Sequence, residues 1–502
     1  MLACLAALSL NAQVDVKYCV GVEANTGDKE LTPHYMMSNH EGVFTQQHQT
    51  LAYAGVTMRP AVDNKFTWRV GLSAYAGWAS DATYRRYDVE KQTGVDNEQH
   101  PARAWIQTAY VQGRYRCLQA TLGAKTERSE IVNHTLSSGD LARSNNARPM
   151  MGLNAGFTQF ENIPLTNGWV QIKGQVGYYR TGDDKWLENH HNNCNPFVTT
   201  DYWVNYKYVY FRTNPDKPFM VTGGMQAACQ FGGEYTRYEE GRAIETLKQK
   251  ADAEAFFKAL LPSSGGNNPG DQYYEGNHLG TWDIALSYRL PSDHVLRAYY
   301  QSPWEDGSGI GKRNGFDGLW GLEYYNPYRA IVKEAVIEYI DLTNQSGPIH
   351  YAPGDHEGTT LTAEATGADN YYNNYAFNGW QSRGMAIGSP MALSPIYNRD
   401  GFIQFTDNLV RGVHLAVLGY ISADWLYLVK AGYRKSWGTP TLPRAKALDL
   451  TSLLAQVQWE PQEKPFYISG TVALDRGSLG MGDNFGARIS IGYRGNLTIG
   501  GK

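Results

Sequence analysis

The chain has 502 residues, with 49 acidic side chains against 45 basic ones and a formal net charge of -4, so its charge balance offers nothing to a nucleic-acid backbone. No run of ~18 apolar residues follows the N-terminus, which excludes membrane-spanning helices. With 53 glycines and 35 tyrosines, two classes are left: a soluble β-rich protein, or a transmembrane β-barrel, which looks polar on average because half of each strand faces water.

The chain begins "MLACLAALSLNAQVDV". An apolar stretch from Met1 to Leu10, then small and polar residues, reads as a secretory leader over residues 1–13. Cleavage is expected near Ala12 or Gln13, with no basic n-region ahead of it. "MLAC" matches the end of a lipoprotein box at Cys4, but no hydrophobic stretch precedes it. A leader residue removed with the rest is the plainer reading. Cys4, Cys19, Cys117, Cys194 and Cys229 form no C-x-x-C and no framework spacing, so isolated buried thiols are expected.

From residue 14 to 502 a single domain is expected, and its pattern is alternation. In "VDVKYCVGVEA" Val14, Val16, Tyr18, Val20 and Val22 share one face, with Asp15, Lys17 and Glu23 on the other. "FTWRVGLSAYAGW" groups Phe66, Trp68, Val70, Leu72, Ala74, Ala76 and Trp78, with Arg69 opposite. "WVQIKGQVGYY" sets Val170, Ile172, Val176 and Tyr178 against Lys173 and Gln175. "YWVNYKYVY" aligns Tyr202, Val204, Tyr206, Tyr208 and Tyr210. "TWDIALSYRL" aligns Trp282, Ile284, Leu286, Tyr288 and Leu290 against Asp283 and Arg289. The pattern returns at 411–420, 425–433 and 466–474, and on odd positions from Phe485 to Ile499. A period of two means extended strands with two different environments.

Sandwich strands alternate too, but usually for only ~5–6 residues. Several runs here approach or exceed the ~9–11 residues with which a tilted strand crosses a bilayer. Apolar faces ending in Trp and Tyr fit interfacial girdles, and Arg69, Lys173, Asp283 and Arg289 suit a watery lumen better than a dry core. The expected fold is all-β: a transmembrane antiparallel β-barrel of about 18 strands with long extracellular loops and a short accessory helix. Tight turns at Pro215–Pro218 and Pro291–His294 belong on the periplasmic side. Long polar segments near 26–47, 79–103, 127–149, 181–200, 232–279, 303–318 and 343–400 belong outside. In one of them Ile244, Leu247, Ala251, Ala255, Phe256, Ala259 and Leu260 fall at helical spacing. That predicts a helix over 243–261, ended by Pro262 and packed on or into the barrel.

Catalytic signatures are missing: no G-x-S-x-G, no H-E-x-x-H, no P-loop spacing. His190, His191 and Cys194 in "ENHHNNCNP" point different ways on an extended chain, so a flexible polar loop is expected there rather than a metal site. Asp306 and Asp317 miss the spacing of a calcium loop, and Glu305, Asp306 and Asp317 alone do not define a hydrolase pair. No metal, cofactor or enzymatic activity is expected.

From about residue 202 onward the phrases "YVYFRTNPDKPFMVTGGMQAACQFGG" (208–233), "GNHLGTWDIALSY" (276–288), "YYQSPWEDGSGI" (299–310), "FDGLWGLEY" (316–324), "EYIDLTNQSGP" (338–348) and "DNYYNNYAFNGWQSRGMAIGSP" (369–390) occur in order. Together they resemble the Wzi-type capsule-assembly proteins of the Gram-negative outer membrane. "AYVQGRYRCLQATLGAKTE" (109–127) fits less specifically. The resemblance implies an eighteen-stranded barrel acting as a surface lectin that holds capsular polysaccharide, without catalysis.

Sugar rings call for aromatic faces, and their hydroxyls for amide or carboxylate partners. "SPWEDGSG" supplies Trp304, Glu305 and Asp306. "DNYYNNYAFNGWQSRG" supplies Asp369, Tyr371, Tyr372, Asn373, Asn374, Trp380 and Arg383. A scaffold role is the plainer reading of both loops, because Asp306-Gly307 and Asn378-Gly379 are ordinary turn dipeptides. Surface polysaccharide and outer-membrane lipid are the expected partners of a monomer. Two rivals stay open: a diffusion channel, motivated by charged lumen positions, and a barrel-embedded hydrolase, motivated by loop carboxylates and histidines.

Overall fold

In the computed structural model, described for residues 13–61, 64–261, 276–346 and 369–500, the alternating runs close into an antiparallel barrel of 18 strands. They are β1 Val14–Gly27, β2 Gln49–Pro60, β3 Phe66–Ala79, β4 Ala104–Tyr115, β5 Leu118–Ala124 and β6 Met151–Phe157. Next come β7 Val170–Arg180, β8 Trp203–Thr213, β9 Phe219–Phe231, β10 Asn277–Arg289, β11 Val295–Trp304 and β12 Gly318–Tyr325. The ring is completed by β13 Glu334–Asp341, β14 Val410–Tyr420, β15 Trp425–Gly438, β16 Pro443–Trp459, β17 Phe466–Gly477 and β18 Asn484–Ile499. β18 pairs with β1 from Val14↔Ile499 to Gly27↔Gly486. Closure leaves no open edge, so the strand backbone is satisfied within hydrocarbon. The leader expected over residues 1–13 lies outside the described residues except for Gln13.

The two ends differ. β2–β3, β8–β9, β10–β11 and β12–β13 are joined by short turns. Phe66, Tyr115, Phe219, Tyr288, Tyr325 and Trp425 lie exposed near these turns and their neighbours, as a periplasmic girdle would. Farther along the strands, Leu72, Ile284, Leu322, Ile337, Val413 and Ile489 are exposed on the outer wall. On β10 Thr281, Asp283, Ala285 and Ser287 are buried while Trp282, Ile284, Leu286 and Tyr288 are exposed. That is the alternation of the sequence turned into two solvents. The barrel follows from this pattern, and the cost of violating it depends on depth. Ile284→Arg, in the middle of β10, is expected to destabilise the barrel by about 2–4 kcal/mol; Leu296→Arg, beside a periplasmic turn, should cost about 0–1 kcal/mol. Denaturant unfolding in lipid vesicles checks the difference.

One strand presents the opposite face from the one expected. In β8 Tyr206 and Tyr210 are buried and face inward: Tyr206 Oη donates to Gln226 Oε1 (2.5 Å) and Tyr210 Oη to Asp283 Oδ2. The outward set is Trp203, Asn205, Lys207, Val209 and Phe211, as its register with Val176 and Tyr178 requires. Asn205 and Lys207 are tolerated there because a helix covers them. Lys207 Nζ donates to Ala259 O (2.9 Å) and to Asn205 Oδ1 (2.7 Å).

That helix is shorter than the spacing predicted. Residues Arg242–Gln249 are a strand, paired with Gly233–Glu239 and through it with Phe197–Thr200. Glu240 (φ 49) and Gly241 (φ 77) form the two-residue turn, the left-handed pair that hairpins prefer. The threefold spacing of Ile244 and Leu247 imitated a helix; cross-strand pairs such as Arg237–Glu245 (3.3 Å) hold the segment extended instead. The helix occupies only Ala253–Leu260, capped by Asp252, whose Oδ1 accepts Ala255 N (3.0 Å). It packs through Ala255 and Ala259 against Cys229 and Phe231 on the barrel wall. Its expected stop at Pro262 lies outside the described residues.

Three outer segments fold back into the lumen. In the first, around a short helix (His34–Met37), His34 N donates to Asp475 Oδ2 on β17 (2.8 Å). Tyr35 Oη donates to His414 Nδ1 on β14 (2.6 Å), and His414 Nε2 donates to Leu136 O (2.7 Å). The second, residues 125–150, reaches the opposite wall. Ser137 Oγ and Ser138 N both donate to Glu338 on β13 (2.6 and 2.7 Å), and Asp140 accepts from Gln226 on β9 and Gln301 on β11. The third, residues 369–409, lies over the second: Tyr372 Oη donates to Leu141 O and Trp380 Nε1 to Ala142 O (both 2.7 Å). The buried centre of the molecule is therefore an inner loop layer packed on inward strand residues such as Tyr179, Val204 and Tyr206.

Candidate functional site

The two loops picked out from the sequence do meet. Glu305 Oε1 accepts Tyr372 N (2.6 Å), and Asn314 Nδ2 donates to Tyr371 Oη (2.9 Å). Asp317 accepts Asn344 N (3.0 Å), Gln345 N (2.7 Å) and Tyr371 Oη (3.2 Å). Asn373 is tied to Phe405 by a reciprocal pair of bonds (both 2.9 Å), and Asn374 Nδ2 donates to Asn277 Oδ1 (3.1 Å). Trp304, Tyr371, Tyr372, Asp369 and Trp380 are all buried, and Asp306 is half-buried. Burial and the carboxylate of Asp369 push Glu305 well above the ordinary range, and burial raises Asp317 to about 6. These groups anchor one loop to another. Their rings are packed, the carboxylates of Glu305 and Asp317 hold backbone N–H groups, and that of Asp369 accepts Ser346 Oγ (2.5 Å).

Arg383 is placed differently. It sits with Gly384 at the tip of a small hairpin, Gln381–Ser382 paired with Met385–Ala386. Both tip residues have positive φ (51 and 76), a left-handed pair that a two-residue turn requires and that projects the side chain beyond the loop layer. Its guanidinium donates to Thr181 O (3.1 Å) and to Gly182 O, while Asp183 Oδ2 accepts its backbone N–H (3.3 Å).

Arg383 lines an open cleft of about 290 Å³ at the extracellular end, near the lower edge of the ~300–1,000 Å³ typical of small-molecule sites. Its walls come from six separate stretches of chain. Trp105 enters from β4, where the register with β3 shifts so that both Gln107 and Trp105 turn inward. The Trp105 ring stacks on Tyr75 (5.4 Å) and its Nε1 donates to Gln107 Oε1 (2.8 Å). Lys185 and Trp186 stand on the helix Asp184–His190, and Tyr84 on the hairpin strand Ala82–Asp88. Gln46, Gln49, Gln99 and Asn189 add amides. Arg148 closes one wall, its guanidinium 5.0 Å from the centre of the Trp105 ring. An open, aromatic and amide-rich surface of this kind can stack a pyranose ring and bond its hydroxyls.

The histidine pair is not part of a flexible loop. His190 and His191 are buried at the end of the helix Asp184–His190. The His190 ring stacks on Trp186 (4.3 Å, 17°) and meets Tyr84 edge-on (4.3 Å). Burial holds His190 down at about 3 and His191 at about 4, so both are neutral packing groups. Cys194 is exposed, unlike the buried thiol expected, because it follows that helix on the outer surface; Cys229 is buried. Asp81, Glu98 and His100 bring ligand-type atoms within 4.8 Å of one another at the cleft's rim. All three are exposed, and the bond between His100 Nδ1 and Asp81 Oδ1 (2.8 Å) accounts for two of them.

Of the cleft residues, only Arg383 stood among the sequence candidates. Trp105, Trp186, Tyr84, Arg148 and Lys185 lie far apart in the chain, and no local pattern marks them.

No family model matches the chain, and no curated protein matches it. Solved structures do. The chain is similar to Wzi, an outer-membrane protein of Escherichia coli involved in group 1 capsule assembly and described as a carbohydrate-binding β-barrel. The TM-score is 0.55 at 13% identity, over 98% of this chain and 86% of that one. It is also similar to OccAB2 of Acinetobacter baumannii, with TM-score 0.48, 8% identity, and 96% and 98% of the two chains covered. OprD of Pseudomonas aeruginosa gives TM-score 0.47, 9% identity, and 97% and 95%. At these identities the likeness is one of fold: an outer-membrane β-barrel.

Proposed function

We propose that this outer-membrane barrel binds and organises capsular or other surface polysaccharide at the cell surface, as a monomer and without catalysing a reaction. The observation that carries the reading is the pairing of an inward-folded loop layer with an aromatic, amide-lined cleft facing outward. Transport favours a lumen with a continuous path, whereas binding favours a rigid, outward surface, and loops anchored to the wall provide the second. The carbohydrate-binding description of the E. coli relative of similar fold points the same way. The anchored carboxylates and packed histidines leave the hydrolase reading without free groups among its own candidates. The rival is an outer-membrane diffusion channel for oligosaccharides or other small solutes, for which the charged lumen residues speak.

Deleting the gene is expected to release surface polysaccharide into the medium while its synthesis continues, and the purified barrel is expected to retain a fraction of the cell's own surface glycans. Undiminished retention on the deletion strain, together with steady conductance of the purified barrel in planar bilayers, would replace binding by transport.

A further inference from the structure

The cleft carries a charge pattern that neutral sugar binding does not need. Arg148, Lys185 and Arg383 line it, and no Asp or Glu does. Arg148 is the unusual member. Among the described residues its guanidinium has neither a hydrogen-bond acceptor nor an ion-pair partner; it lies over the Trp105 ring, and its Nε is buried without a partner. Elsewhere in the same loop Arg143 shows how this chain settles a structural arginine. It donates to Glu127 Oε2 (2.9 Å) and lies between the rings of Tyr179 and Tyr206 (4.7 and 4.9 Å). Burial and the neighbouring charge of Arg383 lower Arg148 to about 9. An unpaired guanidinium on a cleft wall, facing a second cation, costs free energy that an anion would recover. The carboxylates around it are engaged: Glu41, which shares a small second pocket with Arg148, accepts Gln107 Nε2 (3.2 Å), Asp183 accepts from Thr181 and Arg383, and Asp81 is bonded to His100.

We infer that the cleft is a subsite for a carboxylate-bearing sugar residue, with Arg148 as its anchor, Lys185 and Arg383 adding to the field, and Trp105 and Trp186 flanking the ring. A guanidinium suits this role because its planar fork matches a carboxylate bidentately, which a neutral hydroxyl cannot reproduce. The inference rests on the polysaccharide-binding reading and specifies the acidic character of the glycan.

Isothermal titration of the purified full-length barrel tests it with two probes of equal length: oligogalacturonate, and the same oligomer with its carboxyls reduced to hydroxymethyl groups. The uronate form is expected to bind about tenfold tighter or better, as charge-assisted bonds do, and added salt should narrow the gap. Arg148→Gln should remove the preference while affinity for the reduced oligomer stays within about threefold, and Arg148→Lys should keep part of it. Heat-modifiable migration on a gel reports that each variant is folded. If Arg148→Gln fails to fold, the wild-type comparison and the exposed Lys185→Gln variant, which should lose part of the preference, still decide the matter. Equal binding of the two oligomers by wild type, or an undiminished preference in folded Arg148→Gln, overturns the inference and leaves polysaccharide binding standing. Retention of native surface glycan with no binding of oligogalacturonate does the same. Loss of all glycan binding overturns both.

Discussion

Replacing Asp140 with alanine is expected to undock the inner loop and give the barrel steady openings in planar bilayers, where the binding reading expects none from wild type. Asp140 is buried and accepts from five donors. Two are backbone N–H groups of its own turn, Ala142 (2.9 Å) and Arg143 (3.1 Å), and one is Ser129 Oγ (2.5 Å). The others are Gln226 and Gln301 on the wall (both 3.0 Å). The glutamines keep Asp283 as an acceptor (3.0 and 3.2 Å) and are not stranded. The two N–H groups and the hydroxyl have no such substitute, at about 1–3 kcal/mol for each buried group left unmet. Removing a negative charge beside Asp283 returns part of that. The net loss in docking the segment 125–150 is therefore about 3–5 kcal/mol, enough to populate an undocked loop.

Asp140→Asn discriminates the cause. It keeps an acceptor for the turn but offers its own N–H groups to glutamine donors, so the loss should fall to about 1–2 kcal/mol. In both variants the ring of strands keeps its backbone bonds, and gel migration should stay that of a folded barrel. A closed Asp140→Ala barrel, with amide exchange in 125–150 as slow as in wild type, would mean the loop is held by its apolar contacts alone.

Much of this architecture is legible in the chain because a period of two is a local signal. The outward rows on β3 and β10, the periplasmic turns after β8 and β10 and, among the described residues, the long outer segments follow from windows of ten residues or so. What local pattern does not carry is the direction of a face when both faces hold aromatics. The tyrosines of β8 turn inward because Gln226 and Asp283 meet their hydroxyls, and Lys207 faces outward because the helix Ala253–Leu260 supplies a carbonyl. Neither partner is near in sequence. The helical spacing of segment 242–249 misleads because its turn, Glu240-Gly241, carries only one glycine as a marker. The candidate site shows the same limit more strongly. The loops of Trp304 and Tyr372 stand out by composition alone, whereas Arg148, Trp186 and Trp105 become neighbours only once the barrel has closed.

Acidification from pH 7 to 5 is expected to loosen the segment 184–200 while leaving the barrel intact. His190 and His191 are buried with folded values near 3 and 4, and an exposed histidine titrates near ~6.5. The folded segment therefore refuses protons that the opened segment accepts. Its stability is complete above pH ~6.5 and is lost progressively as pH falls toward the folded values. For His190 alone the whole interval is worth roughly 4–5 kcal/mol, of which about 2 kcal/mol is gone by pH 5. Arg86 beside His191 acts in the same direction, because a second positive charge disfavours the imidazolium. Asp183, at the start of the helix, works the other way: burial raises it, so its protonation in acid favours the packed form. Two histidines against one carboxylate leave a net loss. His190→Phe keeps a ring on Trp186 and Tyr84 but cannot take a proton, so it should remove about half of the effect. Amide exchange across 184–200, corrected for the intrinsic pH dependence of exchange, measures this directly. An unchanged opening free energy between pH 7 and 5 in wild type would show that the imidazoles reach water without the segment opening.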